Sequence, residues 1–393
     1  GVSATRMNTR VKGFPMNESN PLLIHDMNRC VLCGRCVRAC NDLRGVGVLQ
    51  YNKKDMETYV GTLHDRLLKD SDCRFCGACA EVCPTGTIRD MVNYTPVEKK
   101  DTLIPCQAAC PAHADVPRYV RYVKEGKMEE ATAVIHEKIP FPECLGHVCA
   151  HACEGKCRRG DVNEAVSIRN IKRYAAEHAN NSLWKENSKH LPSTGKKVCV
   201  VGGGPAGMTA AYYLAKQGHE TVLKEALPKL GGQLQYGIPS YRLPREVVDK
   251  EAGYLQDAGV KVETGCRVDD PKALLDEFDA VLMAIGTHRG VRLPMEGNEL
   301  PGVLLNADFL RNASMGMETG MGKRVIILGG GNVAFDCARS AVRLGAQEVH
   351  LACLEARENM LADDGEIQQA QEEGIQIHPA HTFEKICGTD HVT

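Results

Sequence analysis

Cys30-Val31-Leu32-Cys33-Gly34-Arg35-Cys36-Val37-Arg38-Ala39-Cys40 decides how this chain is read, because its spacing returns at Cys73, Cys76, Cys79 and Cys83, followed by Pro84. Both runs are C-x2-C-x2-C-x3-C. Thiolate is a soft ligand suited to iron–sulfur clusters, and x2 gaps let one short loop wrap three thiols around a cube. In two-cluster proteins of this spacing the fourth cysteine of each run serves the other cluster. The expected ligand sets are therefore Cys30, Cys33, Cys36 and Cys83 for one [4Fe–4S] cluster, and Cys73, Cys76, Cys79 and Cys40 for a second. A zinc ribbon would need two separated pairs, and a disulfide framework suits a small secreted domain. A chain of 393 residues with an odd total of 19 cysteines fits neither. It is expected to move electrons, in a reducing cytoplasm.

Composition narrows the field further. Hydrophobic residues at 43% and charged residues at 25% are ordinary for a soluble globular protein. A net charge of −2 offers no field for nucleic acid or an anionic membrane. No apolar run approaches the ~18 residues of a direct membrane span.

Outward from the cysteine runs, the chain divides at composition changes. Residues 1–25 contain Pro15 and Pro21 with little apolar periodicity and read as an arm or linker. The two-cluster module spans 26–95, its runs separated by a 32-residue insert from Asn41 to Asp72. A proline-marked junction near Pro96 and Pro105 opens a helical region, 96–185. There Asp115 is placed to cap a helix with Pro117 in its first turn and Val116, Tyr119, Val120 and Val123 on one face. Further helices are expected from Met128 through Ile135 and from Ala165 to His178. A second group of thiols, Cys106, Cys110, Cys144, Cys149, Cys153 and Cys157, lies among them.

From residue 195 the pattern becomes β-α-β, twice. Val198-Cys199-Val200-Val201 enters Gly202-Gly203-Gly204-Pro205-Ala206-Gly207, a helix follows from Met208 to Gln217, and a strand Thr221-Val222-Leu223 leads to Glu225. Arg324 to Leu328 then enters Gly329-Gly330-Gly331-Asn332-Val333-Ala334, with a helix to Leu344, a strand Glu348 to Leu351, and Glu355. Each glycine-rich loop follows a strand, opens a helix and has an acid about 20 residues on, as a dinucleotide site requires. Gly202 and Gly329 make the tight turn, Gly204 and Gly331 admit a pyrophosphate, and Gly207 and Ala334 allow close helix packing. Helix N-termini supply free N–H groups to phosphate. Glu225 and Glu355 are placed to accept ribose hydroxyls.

The fold class is thus α/β and multidomain, with a ferredoxin-like module and a helical iron–sulfur domain ahead of two Rossmann-type domains at 195–320 and 321–393. Clusters accept one electron and a nicotinamide delivers two as hydride, so a flavin is needed between them. FAD in one fold and NAD(P) in the other follows. An acid at Glu355 favours the free 2′-hydroxyl of NAD(H), whereas Arg357 nearby could accommodate NADP. The reading leans to NAD.

These residues also carry a family resemblance. Pro105-Cys106 through Cys110-Pro111, Cys149 through Cys153-Glu154 to Cys157, and Gly202 to Gly207 are part of it. So are Gly231-Gly232, Tyr236-Gly237-Ile238-Pro239, Ala284-Ile285-Gly286-Thr287 and Gly329 to Asp336. Together they make residues 104–393 resemble the glutamate synthase small subunit and the amino-terminal part of dihydropyrimidine dehydrogenase. Residues 26–90 resemble the two-cluster ferredoxin module of iron-only hydrogenases, formate dehydrogenases and the large iron–sulfur subunit of respiratory complex I. The resemblance implies FAD in the first dinucleotide fold, with Gly232, Gln233 and Thr287 joining its site, and NAD(P)H on the second, with Asn332 joining that one. It implies iron ligation by Cys106, Cys110, Cys149, Cys153 and Cys157. The chain departs from the family in lacking a C-x2-C pair between Glu98 and Leu103 and in placing Lys172 where the family has a Gln or Glu ligand. One further cluster in 96–185 is therefore expected, its fourth ligand left open. Where the family has an Arg pair after the second strand of its nicotinamide fold, this chain has Cys353-Leu354-Glu355. Family members also continue beyond this end, so the nicotinamide domain is expected to be incomplete.

The implied function is an electron-transfer subunit that exchanges electrons between NAD(H) and other redox subunits of dehydrogenase or hydrogenase type, or ferredoxin. No catalytic acid, base or nucleophile is expected. A non-catalytic relay or scaffold subunit with a structural flavin is the rival reading. Cys144 has no family counterpart and reads as a spare thiol. Cys199, Cys266, Cys337, Cys353 and Cys387 read as buried structural thiols, and His151 as a neighbour of the ligands, not one of them.

Overall fold

The computed structural model describes residues 13–91, 104–187 and 190–388. Residues 1–12 of the expected arm, the junction at Pro96 and the cysteine-free stretch from Glu98 lie outside them. The chain forms two compact units, Gly1–Ser188 and Lys189–Thr393.

In the first unit, β1 (Leu23–His25) and β4 (Ile88–Asp90) pair antiparallel, Leu23 opposite Asp90 and His25 opposite Ile88. This short ribbon closes the ends of the cysteine-rich module on each other. The long insert between the runs is a hairpin, β2 (Leu49–Lys54) against β3 (Glu57–Thr62), turning at Asp55 and Met56. Its inward residues, Leu49 and Val60, join Leu23, Met27, Val48, Phe75 and Ile88 in a small core. Burial here is limited, and a module this small commonly needs metal to supplement its apolar core.

The helical region follows its apolar stripes. Helix Val116–Lys124 begins at Asp115, whose carboxylate accepts the Arg118 N–H at 3.3 Å, with Pro117 in the first turn. Val116, Tyr119 and Val120 are buried against Ala131 and Ile135 of helix Met128–His136 and Ile168 and Ala175 of helix Ile168–His178. The last of these starts three residues later than the sequence pattern suggests. Its leading segment is drawn away because Val166 N–H donates to Cys157 Sγ.

The second unit holds two parallel sheets. One has the order β7-β6-β5-β8, from Lys261–Glu263, Glu220–Lys224, Lys197–Val201 and Ala280–Met283. Helix Pro205–Lys216 covers it, starting at Pro205 because proline needs no N–H acceptor in a first turn. The other has the order β11-β10-β9, from Gln376–His378, Glu348–Ala352 and Arg324–Leu328. Helices Asn332–Arg343 and Asp364–Glu372 pack on it around Phe335, Ala338, Leu351 and Ile367.

Among the isolated thiols, Cys199, Cys337 and Cys353 are buried, but Cys266 is half-buried and Cys387 exposed. Two of the five therefore depart from the expectation of burial. Cys266 lies just past β7, with Lys224 Nζ 3.9 Å from its sulfur. Cys387 lies two residues past Lys385, which bridges to Glu296. No described helix is long and apolar enough to cross a membrane.

Candidate functional site

The two cysteine runs open alike, from the first cysteine to the short helix that carries the third. Leu32 and Phe75, each two places after the first cysteine, take φ values of 55° and 52°. That turn aims their N–H groups at Cys30 Sγ and Cys73 Sγ, both at 3.4 Å. A left-handed non-glycine residue is costly, typically about 1–3 kcal/mol. The N–H···S bonds offset part of that cost and hold the sulfurs inward. Gly34 and Gly77 then lead into the one-turn helices Arg35–Arg38 and Ala78–Glu81, which carry Cys36 and Cys79.

Because β1 pairs with β4, the end of the second run returns to the start of the first. Cys30, Cys33, Cys36 and Cys83 line one cavity, with His25, Val60 and Ile88. Cys73, Cys76 and Cys79 lie within electrostatic reach of one another and of Cys40. Cys40 itself accepts the Val48 N–H at 3.4 Å. Among the described residues no three His, Cys, Asp or Glu side chains converge on a point to hold a single metal ion. The thiols of the first set surround a volume instead.

These thiols resist ionising alone. Burial pushes Cys36 up to about 11, and the charges of Cys30, Cys83 and Cys33 oppose it further. Burial raises Cys73 to about 12 and Cys79 well above the ordinary thiol range. Cys83 goes the other way: burial pushes it up, but N–H groups of Ile88, Thr85 and Thr87 and the Thr85 hydroxyl outweigh that. A crowd of buried thiols that repel one another's charge suits a polycationic core, which deprotonates its ligands on binding. The donor sets fit cubane clusters.

The helical region assembles a third set. Cys106 lies on helix Pro105–Ala108 and Cys153 on helix Ala152–Gly155. His151 adopts φ 39° and donates its N–H to Cys149 Sγ at 3.4 Å, the device already seen at Leu32 and Phe75. Burial raises Cys106 to about 12, with Cys157 and Cys153 adding to the rise. Burial raises Cys153 to about 11, with Cys149, Glu154 and Cys110 adding to it and Lys172 easing it. The buried Tyr119 hydroxyl feels Cys153, Cys106, Cys110 and Cys149. Five thiols thus share one neighbourhood, and Cys144 lies buried on helix Pro142–Val148. His151 Nδ1 sits 3.4 Å from a Glu154 carboxylate oxygen. Lys172, only 5% exposed, brings an ammonium to this set where a carboxylate or amide would supply a ligand atom.

Sequence reasoning overlooked the tie between these regions. Arg159 donates to the carbonyls of Cys73 (2.7 Å), Lys69 (3.1 Å) and Ser71 (3.4 Å), while Arg158 pairs with Asp90 of β4. Cys157-Arg158-Arg159 was the only available signal: two guanidinium groups directly after a ligand-type cysteine.

In the second unit the first glycine-rich loop stands at the C-terminal end of β5, an inner strand of its sheet. The second stands at the C-terminal end of β9, which is the edge strand of its sheet among the described residues. Glu225 is buried, its carboxylate accepting Gly203 N–H at 2.6 Å and Leu227 N–H at 2.7 Å. Gly232 packs against Gly204, and Gln233 donates to the Thr287 carbonyl at 3.0 Å, so these four meet at one loop cluster. A Cβ on Gly207 would lie 1.8 Å from Gly202 O, which only glycine tolerates. The second loop is wider: Ala334 carries its Cβ there, 3.8 Å from where one on Gly329 would sit. Around Gly331 there is open space. Glu355 reaches the Gly330 backbone, where an added Cβ would lie 3.1 Å from its oxygen. Asn332 Oδ1 accepts the Asp363 N–H at 3.0 Å, and Arg357 faces Asp364 at 3.6 Å. Open backbone at a helix N-terminus with a carboxylate at the next strand end suits a dinucleotide's pyrophosphate and ribose.

Three stretches of the chain match families of known proteins. Residues 196–393 match the family described as pyridine nucleotide-disulphide oxidoreductase. Residues 100–184 match dihydropyrimidine dehydrogenase domain II, 4Fe-4S cluster, and residues 20–89 match the ferredoxin-like domain of NADH-quinone oxidoreductase subunit 3. The chain is 40% identical over 285 residues to the NADPH-Fe(3+) oxidoreductase subunit beta of Geobacter sulfurreducens, covering 70% of this chain and 42% of that one. It is 38% identical over 304 residues to the NADP(+)-dependent formate dehydrogenase subunit beta of Moorella thermoacetica, covering 70% and 43%. To the glutamate synthase [NADPH] small chain of Escherichia coli it is 34% identical over 291 residues, covering 69% and 61%. The chain spans about two fifths of the length of the first two relatives.

Proposed function

Because the chain belongs to the pyridine nucleotide-disulphide oxidoreductase family and carries 4Fe–4S ferredoxin-like modules ahead of its dinucleotide folds, we propose that it is an NAD(H)-linked electron-transfer subunit. It exchanges electrons between the nicotinamide and a partner redox subunit or ferredoxin in the cytoplasm. The observation that carries this reading is the crossing of the two runs, with Cys83 closing the ring of Cys30, Cys33 and Cys36. Cys40 completes the second set with Cys73, Cys76 and Cys79, and four of Cys106, Cys110, Cys149, Cys153 and Cys157 hold a third cluster. The ferredoxin module takes residues 26–95, the helical domain 96–185, the flavin domain 195–320 and the nicotinamide domain 321–393.

Gly202, Gly204, Gly207, Glu225, Gly232, Gln233 and Thr287 hold FAD, and Gly329, Gly331, Asn332, Ala334, Glu355 and Arg357 hold the nicotinamide dinucleotide. Bound there, a flavin supplies the exchange of two electrons for one, and the clusters carry electrons singly. The protein's own part is placement. The loops present N–H groups to phosphates, Glu225 and Glu355 accept ribose hydroxyls, and no side chain need move a proton. Glu355 close to the loop, with Arg357 turned toward Asp364, supports NADH over NADPH. The relatives' names point to NADPH for those proteins.

Anaerobic mixing of the intact protein with NADH or NADPH tests the proposal. NADH is expected to bleach the flavin and bring up the spectra of reduced clusters. Reduction by NADPH alone would overturn the coenzyme assignment. A flavin-loaded protein that neither coenzyme reduces would leave the scaffold reading.

A further inference from the structure

A cavity of about 50 Å³ lies between the second cysteine run and the helical set, lined by Cys76 on one side and Cys106 and Cys157 on the other. Valine and isoleucine side chains from both regions, among them Val46, Val120 and Ile168, make its walls. Arg44 and Arg74 also line it, and two of their donors, Arg44 Nε and Arg74 Nη1, are buried without an acceptor. Buried donors in folded proteins nearly always find a partner, and an unmade bond on a charged group costs more than one on a neutral group. Arg74 is within electrostatic reach of Cys76 and Cys40 of one set and of Cys106 of the other. Arg44 and Arg74 both act on Cys76.

We propose that Arg74, assisted by Arg44, is a positioning residue shared by two clusters, donating N–H to sulfur at this cavity and raising both reduction potentials together. The inference rests on the cluster assignment above. A thiolate-held cubane is anionic and gains a further negative charge on reduction, and hydrogen bonds to its sulfurs raise its potential. One guanidinium between two such groups stabilises the reduced form of each, keeping them close in potential. Each reduction adds one electron, supplied by dithionite and returned to ferricyanide, with no bond made or broken at Arg74.

The test is an anaerobic redox titration of the iron-loaded protein followed by EPR, with Arg74→Met, Arg74→Lys and Arg44→Met. Arg74→Met is expected to lower two of the three cluster potentials by at least a tenfold bias in the one-electron equilibrium, about 59 mV. The cluster held by Cys30, Cys33, Cys36 and Cys83 should stay in place. Arg74→Lys keeps the charge and should shift both potentials less. Arg44→Met leaves Arg74 intact and should lower the potential of the Cys76 cluster, so it decides the question if Arg74→Met fails to retain iron. Unchanged potentials in iron-replete Arg74→Met and Arg44→Met would overturn the proposal, as would an equal shift of all three clusters. Wild-type protein reconstituted without iron and sulfide uptake would instead refute the cluster assignment itself.

Discussion

Replacing Gly207 with alanine should weaken FAD binding while leaving the chain folded. Gly207 opens the way for helix Pro205–Lys216 to lie against the end of β5, and a Cβ there would sit 1.8 Å from Gly202 O. Ordinary van der Waals contact begins near 3.4 Å, so the turn from strand to helix must open by about 1.6 Å. The opposing atom is backbone and cannot rotate away. Overpacking of this kind costs about 1–3 kcal/mol, and the displaced part is the one that presents N–H groups to a pyrophosphate. At ~1.4 kcal/mol per tenfold, FAD should bind about 10- to 100-fold more weakly. Ala334→Gly is the control at the matching position of the second loop, where a Cβ is already accommodated. It should cost about 1 kcal/mol of helix stability and leave coenzyme affinity within a few-fold. Fluorescence titration of deflavinated protein with FAD measures the first, and circular dichroism confirms that the variant is folded. A folded Gly207→Ala protein that binds FAD as tightly as the parent would refute the argument from close approach.

Removing the Glu355 carboxylate, as in Glu355→Gln, should raise the NADPH-to-NADH ratio of kcat/KM about tenfold, or ~1.4 kcal/mol; an unchanged ratio would mean that the ribose lies elsewhere. Arg159→Ala strips the carbonyls of Cys73, Lys69 and Ser71 of a charged donor. Denaturant unfolding should show a loss of about 3 kcal/mol, and no loss would show that the two regions hold without this tie. Glu263 is held down to about 2, from 4.5, chiefly by its hydrogen bond to Lys224 across the β6–β7 pair. A depressed carboxylate adds stability above pH 4.5 that fades as pH falls toward 2. Melting of Glu263→Gln should therefore depend less on pH across that window, by a modest amount because Glu263 is partly exposed. An identical pH profile would remove Glu263 from the acid response.

Much of this protein was written in local spacing. The x2 gaps, the paired strands and the glycine-rich loops each confine their chemistry to ten or so residues, where short-range geometry dictates the outcome. Asp115 capping its helix and the two β-α-β units could be read for the same reason. The hairpin from Leu49 to Thr62 could not, because its polar strands alternate weakly and its core contacts lie far away in sequence. Nor could the left-handed turns at Leu32, Phe75 and His151, residues with no intrinsic liking for that conformation, which is set by the sulfurs they face.

By itself the sequence determined which thiols and glycines exist in usable clusters and which elements carry them. Only the tertiary structure decided that the pairing of β1 with β4 is what carries Cys83 to the first run, that Arg159 grips the second, and that Arg44 and Arg74 share a cavity with thiols of both regions. Those are contacts between residues tens of positions apart. Their partners are chosen by how buried surfaces close and how buried charge finds its counterpart, quantities that no run of neighbouring residues contains.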